Sequence, residues 1–301
     1  MGIASRTGPV AVEVDGTAEG LRVIDYACQE ALRAGAELLL VRPYPGRAGY
    51  SMPAPDGAGI AGESELREAV ARVRRQVGFS VTVHTALRAG ARQAVLPQAA
   101  RLARLLIVGR RHARGPHRIV AAQGDLVLAA RSACPVTVVP GSWKPSTADR
   151  TVYVGIDGTE LSRDAVEYAF RTASERGGHL VVVHSDTAPV RKPDKSGGAV
   201  WASAAELTVS ETLAGFGERF PEVRVTRLLT ARPVIEALVR SSQHAGLLVL
   251  GAHASVLPHD PVTRRALAAA ACPVTVVKHY RDAAERRPAH STGSDVVIPT
   301  Y

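Results

Sequence analysis

The feature that most constrains this chain is an internal repeat. The heptapeptide Ala133–Val139, ACPVTVV, recurs unchanged as Ala271–Val277, at an offset of 138 residues. The tripeptide Asp15-Gly16-Thr17 recurs as Asp157-Gly158-Thr159, at an offset of 142. Because an identical heptapeptide in the same relative place indicates duplication, the 301 residues predict two copies of one domain.

Further matches place the copies along the chain. Gly109 matches Gly251 at the offset of 142, so a four-residue gap lies between this glycine and the repeated heptapeptide. We expect a first domain at residues 1–140, a linker at 141–149 and a second domain at 150–280. The polar tail at 281–301 has no helical period, and we expect it to be partly disordered.

Each copy alternates short apolar runs with segments of helical spacing. The predicted strands are Val10–Val14, Leu38–Val41, Val81–Leu87, Leu105–Val108, Val136–Val139, then Val152–Ile156, Leu180–His184, Arg224–Leu229, Leu247–Leu250 and Val274–Val277. The predicted helices are Thr17–Ala34, Glu63–Val77, Gln93–Ala103, Leu126–Arg131, then Ser162–Arg176, Ala205–Arg219, Val234–Ser242 and Arg264–Ala270. Two Pro- and Gly-rich stretches, Pro45–Gly62 and Asp186–Gly198, are predicted to be mobile loops. The pattern predicts an α/β fold with two doubly wound, five-stranded parallel sheets.

Composition excludes several classes of protein. Apolar residues make up 46% and charged residues 22%, as in soluble globular proteins, and no long apolar stretch predicts a membrane span. The first residues do not resemble a secretion signal, and three scattered cysteines do not form a disulfide framework, so we expect a cytoplasmic protein. The net charge is +9, but the arginines are spread along the chain, which argues against nucleic-acid binding.

Candidate binding residues follow the first and fourth strands of each copy. Ligands of open doubly wound sheets bind outside the carboxyl ends of the strands, at the point where strand order reverses. Asp15 and Asp157 follow the first strands, and Gly109 and Gly251 end the fourth. The Asp-Gly-Thr tripeptides are explained equally well as a turn that caps the following helix.

Several motifs together resemble the universal stress protein family. They are Val-x-Val/Ile-Asp-Gly-Thr, Leu-Leu-x-Val/Leu-Gly and Ala-Cys-Pro-Val-x-Val-Val, and the resemblance covers Pro9 to Val139 and Thr151 to Lys278. It implies an adenine nucleotide alpha-hydrolase-like fold. It also implies adenosine contacts by Asp15 and Val41 or by Asp157 and Val183, and phosphate contacts by a glycine motif that begins at Gly109 or Gly251.

Both copies depart from that glycine motif, which reads Gly, two residues, Gly, nine residues, Gly, then Ser or Thr. The first copy has His112 at the second glycine and Ala122-Gln123 at the end, with a basic run between them. The second copy has lost four residues and ends on Asp260-Pro261. Proline removes a donor and aspartate repels phosphate, so we expect no triphosphate in the second copy and at most weak ATP binding in the first.

The last strands of the copies predict how the two halves assemble. Val136–Val139 and Val274–Val277 are apolar edge strands, which need a partner to avoid aggregation. In the resembled family the last strands of two subunits pair to form a dimer. We therefore expect the two copies to pair as an intrachain pseudo-dimer, and whether a homo-oligomer forms beyond it is left open.

No catalytic or metal-binding motif accompanies this framework. The sequence contains neither G-x-S-x-G, nor a P-loop, nor G-x-G-x-x-G, and the ten histidines lack metal-ligand spacing. Cys134 and Cys272, each before a proline and an apolar strand, are interpreted as buried core residues.

Three hypotheses of function follow from the sequence. The first is a non-enzymatic stress-related regulator that contacts an unknown protein partner and binds ATP weakly or not at all. The second is an ATP- or AMP-binding protein, or a slow ATPase, that uses Asp15, Val41, Gly109 and the arginines at positions 110, 111 and 114. The third is polyanion binding through the same basic run.

Overall fold

The computed structural model describes residues 7–45, 57–111, 117–159, 161–185, 204–253 and 259–279. The strands of both repeats form one sheet in the order β3-β2-β1-β4-β5-β10-β9-β6-β7-β8, so each repeat supplies five neighbouring strands. Neighbours within each half are parallel, and strand order reverses between β1 and β4 in the first half and between β6 and β9 in the second. The predicted doubly wound, five-stranded parallel arrangement of each half is confirmed, and the two halves join as one continuous sheet.

The elements of the first half are β1 Val10–Glu13, α1 Ala18–Arg33, β2 Leu38–Tyr44, α2 Gly57–Val77, β3 Val83–Ala89, α3 Arg92–Leu102, β4 Leu105–Gly109, α4 His117–Arg131 and β5 Val136–Val139. A 3-10 turn at Thr147–Arg150 precedes the second half. Its elements are β6 Thr151–Ile156, α5 Leu161–Glu175, β7 His179–Ser185, α6 Ala204–Leu213, α7 Phe216–Arg219, β8 Arg224–Thr230, α8 Val234–Ser241, β9 Leu247–His253, α9 Pro261–Ala269 and β10 Val274–His279.

The two copies of the repeated heptapeptide meet at the centre of the sheet. β5 and β10 are antiparallel, with Thr137 opposite Thr275 and Val136 opposite Val276. The hydroxyl oxygens of Thr137 and Thr275 share a buried hydrogen bond of 2.7 Å. Because these threonines are the same residue of the two repeats, the pair marks the pseudo-twofold axis. The expected intrachain pseudo-dimer is therefore confirmed.

A buried ion pair also joins the halves. Arg176 at the end of α5 donates from Nη2 to Glu30 Oε1 at 2.8 Å and to the Tyr26 hydroxyl at 3.0 Å. Its Nη1 donates to the Asp149 carbonyl at 2.6 Å. Between the halves, Trp143 is buried and packs edge-on against Tyr26, with 5.2 Å between ring centroids. Polar and aromatic contacts thus fix the junction on the α1 and α5 face.

The opposite face of the sheet is a single hydrophobic core. Residues of α3 and α4, such as Leu126, pack in one cluster with residues of α8 and α9, such as Leu267. On the α1 and α5 face, by contrast, each half has its own cluster. The helices α4 and α9 therefore belong to a core that both halves share.

Three predicted elements differ from the structure. α2 begins at Gly57, so the end of the predicted loop Pro45–Gly62 is helical. α4 begins at His117 instead of Leu126, because residues 117–124 include several helix-forming residues and no proline. The helix predicted at Ala205–Arg219 is broken at Gly215, whose φ of +77° is left-handed. The predicted loop Asp186–Gly198 and the tail at 281–301 lie outside the described residues.

Candidate functional site

The Asp15-Gly16-Thr17 tripeptide forms a turn at the carboxyl end of β1. Asp15 Oδ1 accepts hydrogen bonds from the amide and the hydroxyl of Thr17, at 2.9 and 2.8 Å. The Thr17 hydroxyl oxygen accepts from the amide of Gly20 at 2.9 Å and so caps α1. Gly16 has a φ of +74°, and a Cβ atom there would lie 2.4 Å from Glu65 Oε1. The turn and the helix cap therefore account for the hydrogen bonds of Asp15 Oδ1 and for the glycine at position 16.

The second tripeptide repeats this geometry with one addition. Asp157 Oδ1 accepts from the amide and hydroxyl of Thr159 at 2.9 and 2.7 Å, and also from the Ser162 hydroxyl at 2.8 Å. Burial by itself would raise the pKa of Asp157, but these hydrogen bonds outweigh it and the pKa lies below its ordinary value. Asp157 is thus held as a carboxylate by its own turn.

The structure brings Asp15 and Gly109 together at the strand-order reversal. A Cβ atom at Gly109 would lie 3.9 Å from Asp15 Oδ2 and 3.3 Å from Val23 Cγ2. Oδ2 therefore faces the crevice between β1 and β4, whereas Oδ1 faces the turn. In the second half, Gly251 lies inside β9, paired with Val277.

Val41 and Val183 do not line either crevice with their side chains. Both are buried in the core shared by the two halves, with 1% and 2% of their surface exposed. The carbonyl of Val41 accepts from the amide of Val14 at 2.8 Å, as part of the sheet. The side chains of both valines therefore serve packing.

In the first half, the end of the glycine motif lies inside a helix. Ala122 and Gln123 are the sixth and seventh residues of α4, and the amides of an α-helix beyond its first turn bond to carbonyls of the same helix. The Gln123 side chain accepts a hydrogen bond from Arg264 of α9 at 3.3 Å. These amides therefore do not face the crevice as free phosphate donors. Residues 112–116, including His112 and Arg114, lie outside the described residues.

In the second half, a carboxylate occupies the corresponding helix terminus. Asp260 is the N-cap of α9, and its Oδ1 accepts from the amide of Val262 at 2.9 Å. Its other carboxylate oxygen accepts from the Thr263 hydroxyl, and Pro261 supplies no amide hydrogen. An anion at this terminus would meet a negative charge instead of free donors.

The first half contains a buried charge cluster that the sequence interpretation missed. Arg92 Nε lies 2.8 and 2.9 Å from the two carboxylate oxygens of Glu13, and Arg92 Nη1 lies 2.9 Å from Asp125 Oδ1. Burial raises the pKa of Glu13 above its usual value and raises the pKa of Asp125 to about 6, although Arg92 opposes both shifts. The cluster connects β1, α3 and α4 directly below the crevice.

The second half has no such cluster at the equivalent positions. Gly155 and Val234 lie 142 residues beyond Glu13 and Arg92, and Thr263 lies 138 residues beyond Asp125. A charged residue inside the otherwise apolar run VAVEV was the available signal in the sequence. A second signal is that none of the three charged residues has a charged counterpart in the other repeat.

The arginines expected to replace the missing phosphate donors are not all available. Arg110 Nη2 donates to the carbonyl of Ala270 in the second half at 2.6 Å, so this side chain stabilises the junction between the halves. Arg111 is exposed and lies near Asp125 and Gly124. Within the described residues, Arg111 is the only one of the three predicted arginines that lies beside the first crevice.

Two cysteines and one histidine have structural surroundings. Cys134 and Cys272 are buried, and burial raises the pKa of Cys272 to about 12, which disfavours a reactive thiolate. The His184 ring lies 3.1 Å from the Ile156 carbonyl oxygen in the sheet. Within the described ranges, no group of three or more metal-ligating side chains is close enough to hold an ion.

Among the helices of the described ranges, none combines the length and the apolar character that a membrane span requires.

Comparison with known proteins identifies the family. The model of the universal stress protein family matches residues 7–140 and 150–278. A universal stress protein of Mycobacterium tuberculosis is 30% identical over 256 residues, which cover 81% of this chain and 86% of the relative. One of Mycolicibacterium smegmatis is 27% identical over 293 residues, covering 89% and 96% of the two chains.

A solved structure agrees with the fold. The crystal structure of a universal stress protein from Archaeoglobus fulgidus superimposes with a TM-score of 0.64 at 16% identity, and the alignment covers 90% of this chain and 97% of that one. The two family matches coincide with the two halves of the sheet, and the Asp-Gly-Thr turns occupy the same place in each. The chain therefore belongs to the universal stress protein family, in a form with two tandem domains.

Proposed function

We propose that this protein is a cytoplasmic, non-enzymatic regulator that acts by contact with another protein and binds adenine nucleotides weakly or not at all. The observation that carries the proposal concerns the residues at the two positions where the family's glycine motif would end. Ala122 and Gln123 lie in the interior of α4, and the Asp260 carboxylate caps α9. Among the described residues of the two motifs, these positions offer no free backbone donors, which argues against phosphate binding in the manner of the family's glycine motif.

The family features that this chain retains support a role in which the folded surface matters more than a bound nucleotide. Both Asp-Gly-Thr turns cap their own helices, and both valines at the second strands pack in the core. The features that the family shares with this chain are thus explained by folding. A protein that keeps these features without free donors at the described ends of its phosphate motifs is suited to contact through its surface.

One observation favours the alternative, in which the first half binds ATP or AMP. Asp15 Oδ2 faces the crevice beside Gly109, with Arg111 nearby. A carboxylate oxygen in this position can accept hydrogen bonds from a ribose hydroxyl. The corresponding carboxylate of Asp157 makes an additional hydrogen bond to Ser162 within its own turn, so the first half is the better candidate.

Isothermal titration of the nucleotide-free protein with Mg-ATP and with AMP tests the nucleotide part. The expected result is no heat of binding at millimolar ligand for either nucleotide. Binding near one site per chain that is lost in Asp15→Ala and kept in Asp157→Ala would replace the proposal with the alternative. The two variants are matched, because each removes the carboxylate of one Asp-Gly-Thr turn.

Chemical cross-linking in intact cells of the source organism, followed by purification of the protein, tests the contact part. The expected result is a stoichiometric cross-linked partner whose recovery does not change when cellular ATP is depleted. Recovery of the uncross-linked chain alone, over a range of growth and stress conditions, would contradict a role in protein contact.

A further inference from the structure

An apolar groove lies on the second half, between α8 and α9. Pro233, Ile235 and Val239 form one wall, Ala268 and Ala269 form part of the other, and Ile119 of α4 adjoins them. The groove encloses about 590 Å³, enough for several large side chains. Pro233 and Ala269 are exposed, so the groove is open along its length. An apolar surface of this kind indicates a binding site more often than chance exposure.

The equivalent region of the first half has different side chains. Gln93 takes the place of Ile235, and its amide donates to the Gly124 carbonyl at 3.3 Å, which connects α3 to α4. Gln98 takes the place of Arg240. Since both halves have the same fold, the side chains that line this groove are particular to the second half.

The rim of the groove carries unpaired positive charge. Arg240 and Arg265 are exposed, and neither forms a salt bridge with any residue in the part of the chain that the structure describes. The acidic residue of the rim, Glu236, is engaged with Arg232, with 2.6 Å between Oε1 and Nη1. An occupant that places acidic groups over the two arginines would complement this charge.

We infer that this groove binds an amphipathic helix of a partner protein, with its apolar side chains between α8 and α9 and its acidic side chains against Arg240 and Arg265. The inference rests on the proposed function, since it names the chemistry of the partner. From the N-cap Pro233 to Arg240 of α8, the lining residues span eight positions, or about 12 Å, which matches anchors at positions i, i+3 or i+4, and i+7 of a partner helix. A small molecule would be poorly enclosed by these exposed walls, whereas a helix needs burial on one face only.

A labelled synthetic helix tests the chemistry. The probe has leucines at positions i, i+3, i+4 and i+7 and glutamates along both flanks, and its binding to the full chain is measured by fluorescence anisotropy. We expect Ile235→Glu to weaken binding at least tenfold, and the double variant Arg240→Glu, Arg265→Glu to do the same. Both arginines are exposed, so the double variant leaves the core untouched.

Two controls make this result specific. Gln98→Glu introduces the same charge at the counterpart of Arg240 in the first half and should leave the affinity unchanged. A probe with lysine in place of glutamate should bind at least tenfold more weakly than the acidic probe. Failure of the wild-type protein to bind the acidic probe, or equal affinity of the wild type and both groove variants, overturns the inference.

Site-specific photo-cross-linking in cells distinguishes failure of the inference from failure of the proposed function. A photoreactive residue is placed at Val239 and, as a matched control, at Pro97, its counterpart in the first half. The inference predicts capture at Val239 of a segment that mass spectrometry identifies as an acidic amphipathic helix. Capture at Pro97 but not at Val239 overturns the inference and leaves the proposed function intact. No capture at either position, together with no partner in the chemical cross-linking, contradicts both.

The same experiment identifies the competing occupants. Cross-links from Val239 to a second copy of the chain, or to residues 281–301 of the same chain, would overturn the assignment to a partner protein. Deleting residues 281–301 supplies a check, since acidic-probe binding that appears only after deletion would mean that the chain itself fills the groove.

Discussion

Replacing Asp125 by asparagine should change how the stability of the protein depends on pH. Asp125 is fully buried, and its Oδ1 accepts from Arg92 Nη1 at 2.9 Å. Oδ2 is buried too and finds no hydrogen-bond donor among the described residues. Arg92 also binds both carboxylate oxygens of Glu13, so two buried carboxyl groups share one guanidinium. Burial consequently raises the pKa of Asp125 from 3.8 to about 6.

The sign and size of the effect follow from this shift. Between the two pKa values the folded state holds a proton that the unfolded state has lost, so this carboxyl group's contribution to stability falls as the pH rises. A shift from 3.8 to about 6 corresponds to about 3 kcal/mol, of which roughly 2 kcal/mol is expressed between pH 4 and pH 7. Asparagine keeps an acceptor for Arg92 and cannot ionise. The stability of Asp125→Asn relative to the wild type should therefore increase by roughly 2 kcal/mol over that range.

Urea unfolding of both proteins at a series of pH values between 4 and 7 measures this difference. Asp157→Asn is the matched control, because hydrogen bonds hold the pKa of Asp157 below its ordinary value despite burial. Its carboxyl group is ionised in both states over the upper part of the range, so the difference from wild type should be flat there. Parallel curves for wild type and Asp125→Asn would refute the reasoning, since they would mean that the ion pair with Arg92 fully offsets burial.

Three further predictions concern the rest of the fold. Arg176→Ala should lower the free energy of unfolding by about 3 kcal/mol, because it removes a buried partner of Glu30, whereas Arg219→Ala, which breaks an exposed pair, should cost less than about 1 kcal/mol. Burial lowers the pKa of Lys278 to about 8, so the unfolded chain binds a proton that the folded chain lacks at higher pH. Wild type should therefore gain about 2 kcal/mol relative to Lys278→Met between pH 8 and pH 10, and a constant difference would contradict the shift. Gly215→Ala should lower the free energy of unfolding by about 1 kcal/mol, measured as a lower urea midpoint. Space is open around Gly215, but its left-handed φ of +77° is strained for alanine. An unchanged midpoint would rule out that strain.

The candidate site shows where sequence patterns were sufficient and where they were not. Asp15 and Gly109 are 94 positions apart in the chain, yet the order of strands in a doubly wound sheet predicted that they would meet, and they do. Periodicity did not predict that Val41 and Val183 would point into the core, since both faces of a buried parallel strand are apolar. The early start of α4 was not predicted either. Its first residues were interpreted as part of the phosphate motif, although they favour a helix.

The sequence by itself determined the duplication, the α/β class, the strand-end location of the crevices and the pairing of the two halves. The duplication and the class follow from one repeated heptapeptide and from short apolar runs, and the crevices from the general rule for doubly wound sheets. The pairing was expected from the apolar edge strands together with the family resemblance. Only the tertiary structure decided which charged side chains are buried together. Glu13, Arg92 and Asp125 lie on three separate elements, and their pKa values depend on burial and distance, which sequence spacing does not encode. The groove between α8 and α9 likewise depends on packing. Ile235 lines it, whereas the counterpart Gln93 donates to the carbonyl of Gly124, and both contacts appear only when packed helices bring distant residues within reach.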